Sequence, residues 1–316
     1  MTSSRCPPAT RSTARKSSRQ GRLPEAPALP SSPQLPAFVD ALAGPSSVYA
    51  VELRPPRAEL SASAGIDAWI DTYHAVRRLV RHGHHVCLTD SAVGAQEEDN
   101  LRHLVLNLGD DVPRDHVVPF LTSKHTLQYC LNYADRAHLH GFPSLVVLGG
   151  DKSVGTPRCV EHAWELRAAI RARQPSLVLG GWANPHRHPE RQVDFLQGPE
   201  FTGEYYLTQV ASHHQVGDVE RFLNEAARRG VTMPGVFGVF YYRSARRRTL
   251  DMLAEFMPVP VDELVEEFGT GATPEAVCAR TVRTLKAAGV RHFYISNLPL
   301  TNTDAVLQRI LNEAGA

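Results

Sequence analysis

The chain has 316 residues, of which 42% are apolar, and its formal net charge is only +1. This composition can fill a sizeable core, and the balanced charge disfavours a nucleic-acid partner. No run approaches the roughly 18 consecutive apolar residues of a membrane span. Five scattered cysteines without a CxxC pair argue against a disulfide framework and indicate a reducing compartment. We therefore expect a cytoplasmic protein that acts on small molecules, with a homo-oligomer left open.

The first 45 residues differ in composition from the rest. They are rich in Pro, Ser and Thr, and residues 1–22 carry six basic side chains and no acid: Arg5, Arg11, Arg15, Lys16, Arg19 and Arg22. Such a segment buries too little apolar surface to offset its ordering entropy. The composition predicts a disordered tail over residues 1–45, with a transit peptide as the alternative.

Strand-like runs and helical patterns alternate over residues 46–316. The runs are Val48–Leu53, His85–Thr89, Val117–Thr122, Ser144–Leu148, Ser176–Gly180, Glu204–Gln209, Val236–Tyr241 and His292–Ser296. Strict alternation predicts a parallel sheet, and eight units predict a closed (β/α)8 TIM barrel in one domain. The long stretch 243–289 predicts extra helices near 249–256, 261–268 and 274–288. No GxGxxG follows the first run, which disfavours a dinucleotide-binding sheet.

Two carboxylates follow different predicted strands, at the barrel end where active sites form. Glu52 closes the first run, and Asp151 comes just after the fourth. A buried glutamate with a raised pKa can act as a general acid, and a second carboxylate can accept hydrogen bonds from a heterocycle. The alternative is that Glu52 and Asp151 only pair with Arg54 and Lys152.

Three groups of histidines invite a metal hypothesis. They are His84 with His85, His186 with His188, and His213 with His214. The sequence shows no evident thiolate or carboxylate partner at a ligand spacing. We therefore predict no metal site.

Six short motifs at these strand ends resemble the methylenetetrahydrofolate reductase family, over about Val48 to Leu311. The family's FEFFPP resembles 51–56, its PHLT 119–122, its LRGD 148–151, its AAYPEGHPE 182–190, its TQ 208–209 and its HFYTLN 292–297. Each motif alone is weak, but the six occur in the family's order.

The resemblance implies an oxidoreductase that reduces 5,10-methylenetetrahydrofolate to 5-methyltetrahydrofolate with NAD(P)H, in one-carbon metabolism and methionine biosynthesis. It implies that Glu52 is the general acid that helps open the methylene bridge. The implied folate contacts are Asp151, Gln209 and Tyr242, and the implied cofactor contacts are Thr89, Thr122, Trp182 and Asn184.

The departures from the family lie mainly on the side that binds its flavin, FAD. Phe120 replaces the histidine of PHLT, Gly149 replaces the arginine of LRGD, and a short segment at 196–199 replaces a basic one. A diphosphate without nearby cations binds poorly. We therefore predict a protein with little or no flavin, in which nicotinamide transfers hydride to the folate directly. A folate-binding regulatory or methyl-transfer protein without reductase activity is the alternative, and an unrelated barrel enzyme is a third hypothesis.

Overall fold

Eight parallel strands pair in chain order, and the last pairs with the first to close a barrel. A computed structural model describes residues 37–56, 60–91, 100–109 and 111–316. The strands are β1 (Tyr49–Leu53), β2 (His85–Leu88), β3 (Val117–Thr122), β4 (Ser144–Leu148), β5 (Val178–Ala183), β6 (Tyr205–Ala211), β7 (Gly235–Phe240) and β8 (His292–Ser296). The prediction of a TIM barrel is confirmed.

Helices connect the strands and cover the outside of the barrel. They are α1 (Phe38–Ala43), α2 (Ala62–Arg81), α3 (Asn100–Asn107), α4 (Leu127–Leu139), α5 (Ala163–Arg173), α6 (Pro189–Gln197), α7 (Val216–Arg228), α8 (Arg247–Ala254), α9 (Val261–Gly269), α10 (Pro274–Ala287) and α11 (Thr303–Ala314). The predicted extra helices are present as α8, α9 and α10. Among the described residues, no helix combines the length and apolar character that a membrane span needs.

Alternation along the strands separates two apolar clusters. Ala50, Cys87 and Val146 point into the barrel, whereas Val51, Val86 and Val147 face the surrounding helices. Successive strand residues point to opposite faces, so both layers are filled from the same strands. The polar residues that end the inward-facing rows then lie at the C-terminal mouth of the barrel.

Helix α1 lies within the segment that we expected to be disordered, so the predicted boundary at residue 45 is wrong. Phe38 and Leu42 are buried in the interior cluster. The Phe38 ring packs edge-on against His85, 5.3 Å away, and Tyr205, 5.5 Å away, between ring centroids. Two apolar side chains one helical turn apart are enough to fill the N-terminal end of the barrel. The rest of the expected tail, residues 1–36, lies outside the described residues.

Strand β5 also differs from the prediction, which placed it at Ser176–Gly180. It runs to Ala183 because Gly180 and Gly181 are strand residues and not a turn. A Cβ atom on Gly180 would lie 2.5 Å from the Tyr205 ring, and one on Gly181 would lie 2.3 Å from the Phe201 ring. The two glycines therefore leave room for aromatic rings on both faces of the strand.

Candidate active site at the barrel mouth

Glu52 lies at the mouth, at the end of the inward-facing row of β1. Its Oε2 accepts a hydrogen bond of 2.7 Å from the Ser296 hydroxyl, at the end of the neighbouring strand β8. Burial raises the pKa of the Glu52 carboxyl, while the Ser296 hydrogen bond and the charge of Arg54 partly offset the rise. Burial thus favours the protonated form of the Glu52 carboxyl, and a protonated carboxyl can donate a proton.

The aromatic ring of Tyr294 lies beside Glu52 inside the barrel. Tyr294 is buried, and its hydroxyl donates a 2.6 Å hydrogen bond to the backbone carbonyl of Thr208. Gly238 faces this ring so closely that a Cβ atom there would lie 2.5 Å from the Tyr294 Oη. The charge of Glu52 contributes to the raised pKa of Tyr294, after burial itself. The phenol is therefore a neutral packing group under the carboxyl.

The backbone turns sharply just after Ser296. Asn297 has φ of 67°, in the left-handed region that Asn tolerates better than most residues. Its Nδ2 donates to the Tyr241 carbonyl at 3.0 Å, and its own carbonyl accepts from Arg243 at 3.1 Å. These contacts hold the ends of β7 and β8 together and so position Ser296.

The two threonines implied as cofactor contacts use their hydroxyls within the protein. Thr122 is buried, and its backbone N–H and hydroxyl donate to Asp90 Oδ2 at 2.7 and 2.9 Å. The Thr89 hydroxyl donates to the Leu53 carbonyl at 3.3 Å. His125 Nε2 contacts the same Asp90 oxygen at 2.8 Å. Asp90 therefore organises the ends of β2 and β3, and Thr122 is a structural residue.

Gln209 lies at an irregularity in β6. Pairing with β7 shifts between Leu207 and Val210, so one extra residue enters the strand near the mouth. Gln209 Oε1 accepts from the backbone N–H of Val210 at 3.0 Å, and the side chain is half-buried. Bulges of this kind re-aim side chains and occur often beside active sites. Gln209 thus lies in a locally distorted part of β6.

Asp151 lies on the loop that follows β4. Its Oδ1 accepts three hydrogen bonds from its own loop: from the N–H and hydroxyl of Ser153, at 2.8 and 3.0 Å, and from the N–H of Val154, at 3.2 Å. The bonds from Ser153 lower the pKa of Asp151. Lys152 pairs with Glu161 at 3.8 Å, so the alternative pairing with Asp151 is not what the structure shows.

A cation fills the place beside Gly149. A Cβ atom on Gly149 would lie 2.7 Å from the guanidinium carbon of Arg158, which also donates to the Gly150 carbonyl. The buried ammonium of Lys124 donates to the carbonyls of Val154 and Thr156, each at 2.6 Å. The β4–α5 connection is therefore fastened by two cations, neither of which the strand-end pattern indicates.

Trp182 and Asn184 end β5 in different settings. Trp182 packs against the interior cluster, so it lines the barrel wall near the mouth. Asn184 Oδ1 accepts from the N–H of His186 at 3.0 Å. His186 in turn bridges Asp218, at 2.8 Å, and the Val210 carbonyl, at 2.9 Å. Asn184 and His186 therefore shape the β5–α6 loop.

Tyr242 does not lie among the polar residues of the mouth. It is buried in a separate apolar cluster with Leu250, Leu264 and Val277, which come from α8, α9 and α10. Its ring lies 4.9 Å from that of Phe240. Burial raises the pKa of the Tyr242 phenol. Tyr242, implied as a folate contact, is thus a packing residue of the helical excursion, the segment of α8, α9 and α10 between β7 and β8.

One of the three histidine groups brings both of its imidazoles to the same carboxylate. His213 and His214 lie against Glu267 of α9, and their three ligand atoms are within 4.8 Å of one another. Glu267 is distant in sequence, so spacing could not indicate it. Ser296 was also missed, although it shares its inward direction with Tyr294 two residues earlier. Asp90 follows the end of β2, and no local pattern predicts its bonds to Thr122 of β3.

No protein-family model matches the sequence, and no curated protein is similar to it. Among solved structures, a similar one is described as an uncharacterized protein from Clostridium thermocellum that binds two copies of 5-methyl-5,6,7,8-tetrahydrofolic acid. It is 14% identical, with a TM-score of 0.57 over 85% of this chain and 94% of that chain. A 2,3-dimethylmalate lyase of the PEP mutase/isocitrate lyase superfamily is 11% identical, with a TM-score of 0.45 over 88% and 85% of the two chains. At 14% identity the likeness to the first of these structures shows the fold alone.

Proposed function

We propose that the chain is a barrel enzyme that binds a reduced folate at its mouth and uses Glu52 as a proton donor. The observation that carries the proposal is the Glu52 carboxyl with its raised pKa, held by Ser296 at the mouth. A solved structure of similar fold that binds methyltetrahydrofolate supports the choice of ligand. The six motifs that resemble methylenetetrahydrofolate reductases support the reaction.

The reaction that we assign is reduction of 5,10-methylenetetrahydrofolate to 5-methyltetrahydrofolate. Glu52 would protonate the nitrogen that leaves the methylene carbon, so that the bridge opens to an electrophilic iminium. NAD(P)H would supply the hydride that this carbon accepts. Gln209 and Asp151 would hold the pterin by hydrogen bonds, because both offer carbonyl or carboxylate oxygens near the mouth.

Two of the four residues implied as cofactor contacts, Thr122 and Thr89, use their hydroxyls for hydrogen bonds within the protein. Thr122 is buried with its hydroxyl bonded to Asp90 Oδ2 and the Ser91 carbonyl, so it cannot contact a cofactor in this conformation. The Thr89 hydroxyl is directed to the Leu53 carbonyl. We therefore assign no step to a flavin, and the proposed reaction needs only two bound substrates.

The test combines binding and turnover on the full chain. We expect saturable binding of 5-methyltetrahydrofolate by calorimetry, and oxidation of NADH or NADPH that depends on 5,10-methylenetetrahydrofolate and yields the methyl product by mass spectrometry. The absorbance of the purified protein near 450 nm reports flavin independently. Absence of folate binding would overturn the proposal as a whole.

A second candidate is a folate-binding barrel without reductase activity. It is favoured by the description of the similar solved structure, which names binding of 5-methyl-5,6,7,8-tetrahydrofolic acid and no reaction. This candidate predicts folate binding without oxidation of either nicotinamide cofactor. The same two measurements therefore separate the candidates.

A further inference from the structure

The His213, His214 and Glu267 cluster lies where the connection after β6 meets the helical excursion. His213 and His214 belong to a short 3-10 turn between β6 and α7, and Glu267 belongs to α9. Their side chains are 9%, 21% and 5% exposed. Two imidazoles and one carboxylate, drawn from segments more than 50 residues apart in sequence, thus converge in a largely buried place.

One imidazole nitrogen in this cluster has no hydrogen-bond partner. Thr281 donates its hydroxyl proton to the Val277 carbonyl at 3.2 Å, so its oxygen is left to accept from His213 Nδ1 at 2.8 Å. The tautomer that fits this pair carries the ring proton on Nδ1 and a lone pair on Nε2. His213 Nε2 is buried and makes no hydrogen bond in the part of the chain that the structure describes.

The unbonded His213 Nε2 faces a carboxylate oxygen. Glu267 Oε2 lies 3.2 Å from His213 Nε2 and 3.0 Å from His214 Nε2. With the ring proton on Nδ1, the His213 nitrogen and the carboxylate oxygen are two acceptors, which repel each other unless a proton or a metal ion lies between them. Arg280 occupies the other carboxylate oxygen, Oε1, and thereby directs Oε2 towards the histidines.

From this geometry we infer that His213, His214 and Glu267 bind a divalent transition-metal ion of the zinc class. In a tetrahedral site with bonds of about 2.0–2.1 Å, neighbouring ligand atoms are about 3.3 Å apart, which is close to the two measured separations. Two imidazoles and one carboxylate are a ligand set that zinc uses, with its fourth position open. Thr281 and Arg280 orient the ligands through their outer atoms, as partners of metal ligands do.

The bound ion would join three parts of the chain. It would tie the turn after β6 to α9, and through Thr281 and Arg280 to α10. Because the site forms only in the folded chain, binding raises the temperature of unfolding. The site is separate from Glu52 in its ligands, so its test does not depend on folate binding.

The test uses the full, untagged chain, stripped with EDTA and then titrated with ZnCl2 or CoCl2. We expect one tight equivalent by calorimetry, visible absorption bands for the Co2+ form, and a rise in melting temperature with Zn2+. His214→Ala should lower the affinity at least about 100-fold. His188→Ala is the matched control, because this exposed histidine lies outside the cluster, and it should bind like wild type.

The variant Glu267→Gln tests whether the cluster is a metal site or only a network of ion pairs. The amide can still accept from Arg280, and its N–H2 can donate to the bare His213 Nε2. We therefore expect a variant that folds, melts within a few degrees of the stripped wild type, and no longer binds Zn2+. The inference would be overturned if wild type does not bind Zn2+, or if all the variants bind Zn2+ as tightly as wild type. It would also be overturned if Glu267→Gln is strongly destabilised while Zn2+ leaves the melting temperature of wild type unchanged.

Discussion

The Ser296 hydroxyl donates to Glu52 Oε2 across the seam where the last strand of the barrel meets the first. The bond can form only when β1 and β8 pair in register, with Val51 beside Ile295. Closure of the barrel therefore brings the proposed proton donor, Glu52, to its hydrogen-bond partner. Glu52 and Ser296 lie 244 positions apart in sequence, which no local pattern could connect.

Glu52→Gln should abolish reduction while leaving folate binding within a few-fold of wild type. Glutamine keeps the shape of the side chain and can still accept from Ser296, but it has no proton of the required acidity. Loss of a general acid costs about 10²–10⁴-fold in rate. Stopped-flow single turnovers with NADH and NADPH measure the chemical step. A variant that turns over at the wild-type rate would remove Glu52 from this role.

The stability of the protein should depend on pH through Glu52. The folded-state pKa is raised, so the stability from this group is fully present below the unfolded pKa and falls as the pH rises through the folded pKa. Wild type should therefore lose free energy of unfolding relative to Glu52→Gln as the pH rises above the ordinary carboxyl pKa of 4.5, by about 1.4 kcal/mol for every tenfold difference between the folded and unfolded acid dissociation constants. Urea unfolding at a series of pH values above 4.5 measures the difference. The exposed Glu255→Gln is the control, and the same trend in both variants would contradict the assignment.

Asp151→Ala should weaken folate binding by about 10-fold or more, because its expected role is to accept hydrogen bonds from the pterin. The same change removes three bonds within the loop. Ser153→Ala removes one of these bonds and keeps the carboxylate, so it reports the contribution of loop order alone. Calorimetric titration with 5-methyltetrahydrofolate compares the two. Equal losses would mean that Asp151 acts only by ordering its loop.

Gly238→Ala should lower the free energy of unfolding by about 1–3 kcal/mol, because the new methyl group overlaps the buried Tyr294 hydroxyl. Gly65→Ala is the matched control. Its Cβ atom meets nothing within 4 Å, and the residue lies inside α2, so alanine should stabilise the chain by up to about 1 kcal/mol. Chemical denaturation measures both. A neutral Gly238→Ala would show that the Tyr294 ring can move aside.

The fold was predictable because most strands and helices carry a local pattern of apolar residues. The runs Val117–Thr122, Ser144–Leu148 and His292–Ser296 match the observed strands at both ends. Prediction failed at Gly180 and Gly181, where glycine is a strand residue because Tyr205 and Phe201 fill the space above it. Such a space is created by tertiary contacts, and a sequence window contains no sign of it.

The site was predictable only in part. The end of an apolar run was enough to place Glu52 at the mouth, but no sequence pattern predicted its hydrogen-bond partner, Ser296. Tyr242 lies near the C-terminal end of a strand as Glu52 does, but residues of α8, α9 and α10 surround it and make it a packing residue. Thr122 likewise satisfies Asp90 from a neighbouring strand. A position at or after the end of a strand thus indicates that a residue lies at the C-terminal end of the barrel. The role of its side chain depends on which residues, distant in sequence, contact it there.

Helix α1 has a kinetic consequence. Phe38 and Leu42 close the N-terminal end of the barrel, so in the part of the chain that the structure describes Glu52 is reached from the C-terminal end. The two reactants of the proposed reduction would then share the C-terminal approach to Glu52. We expect the one that lies deeper to bind first and to leave last.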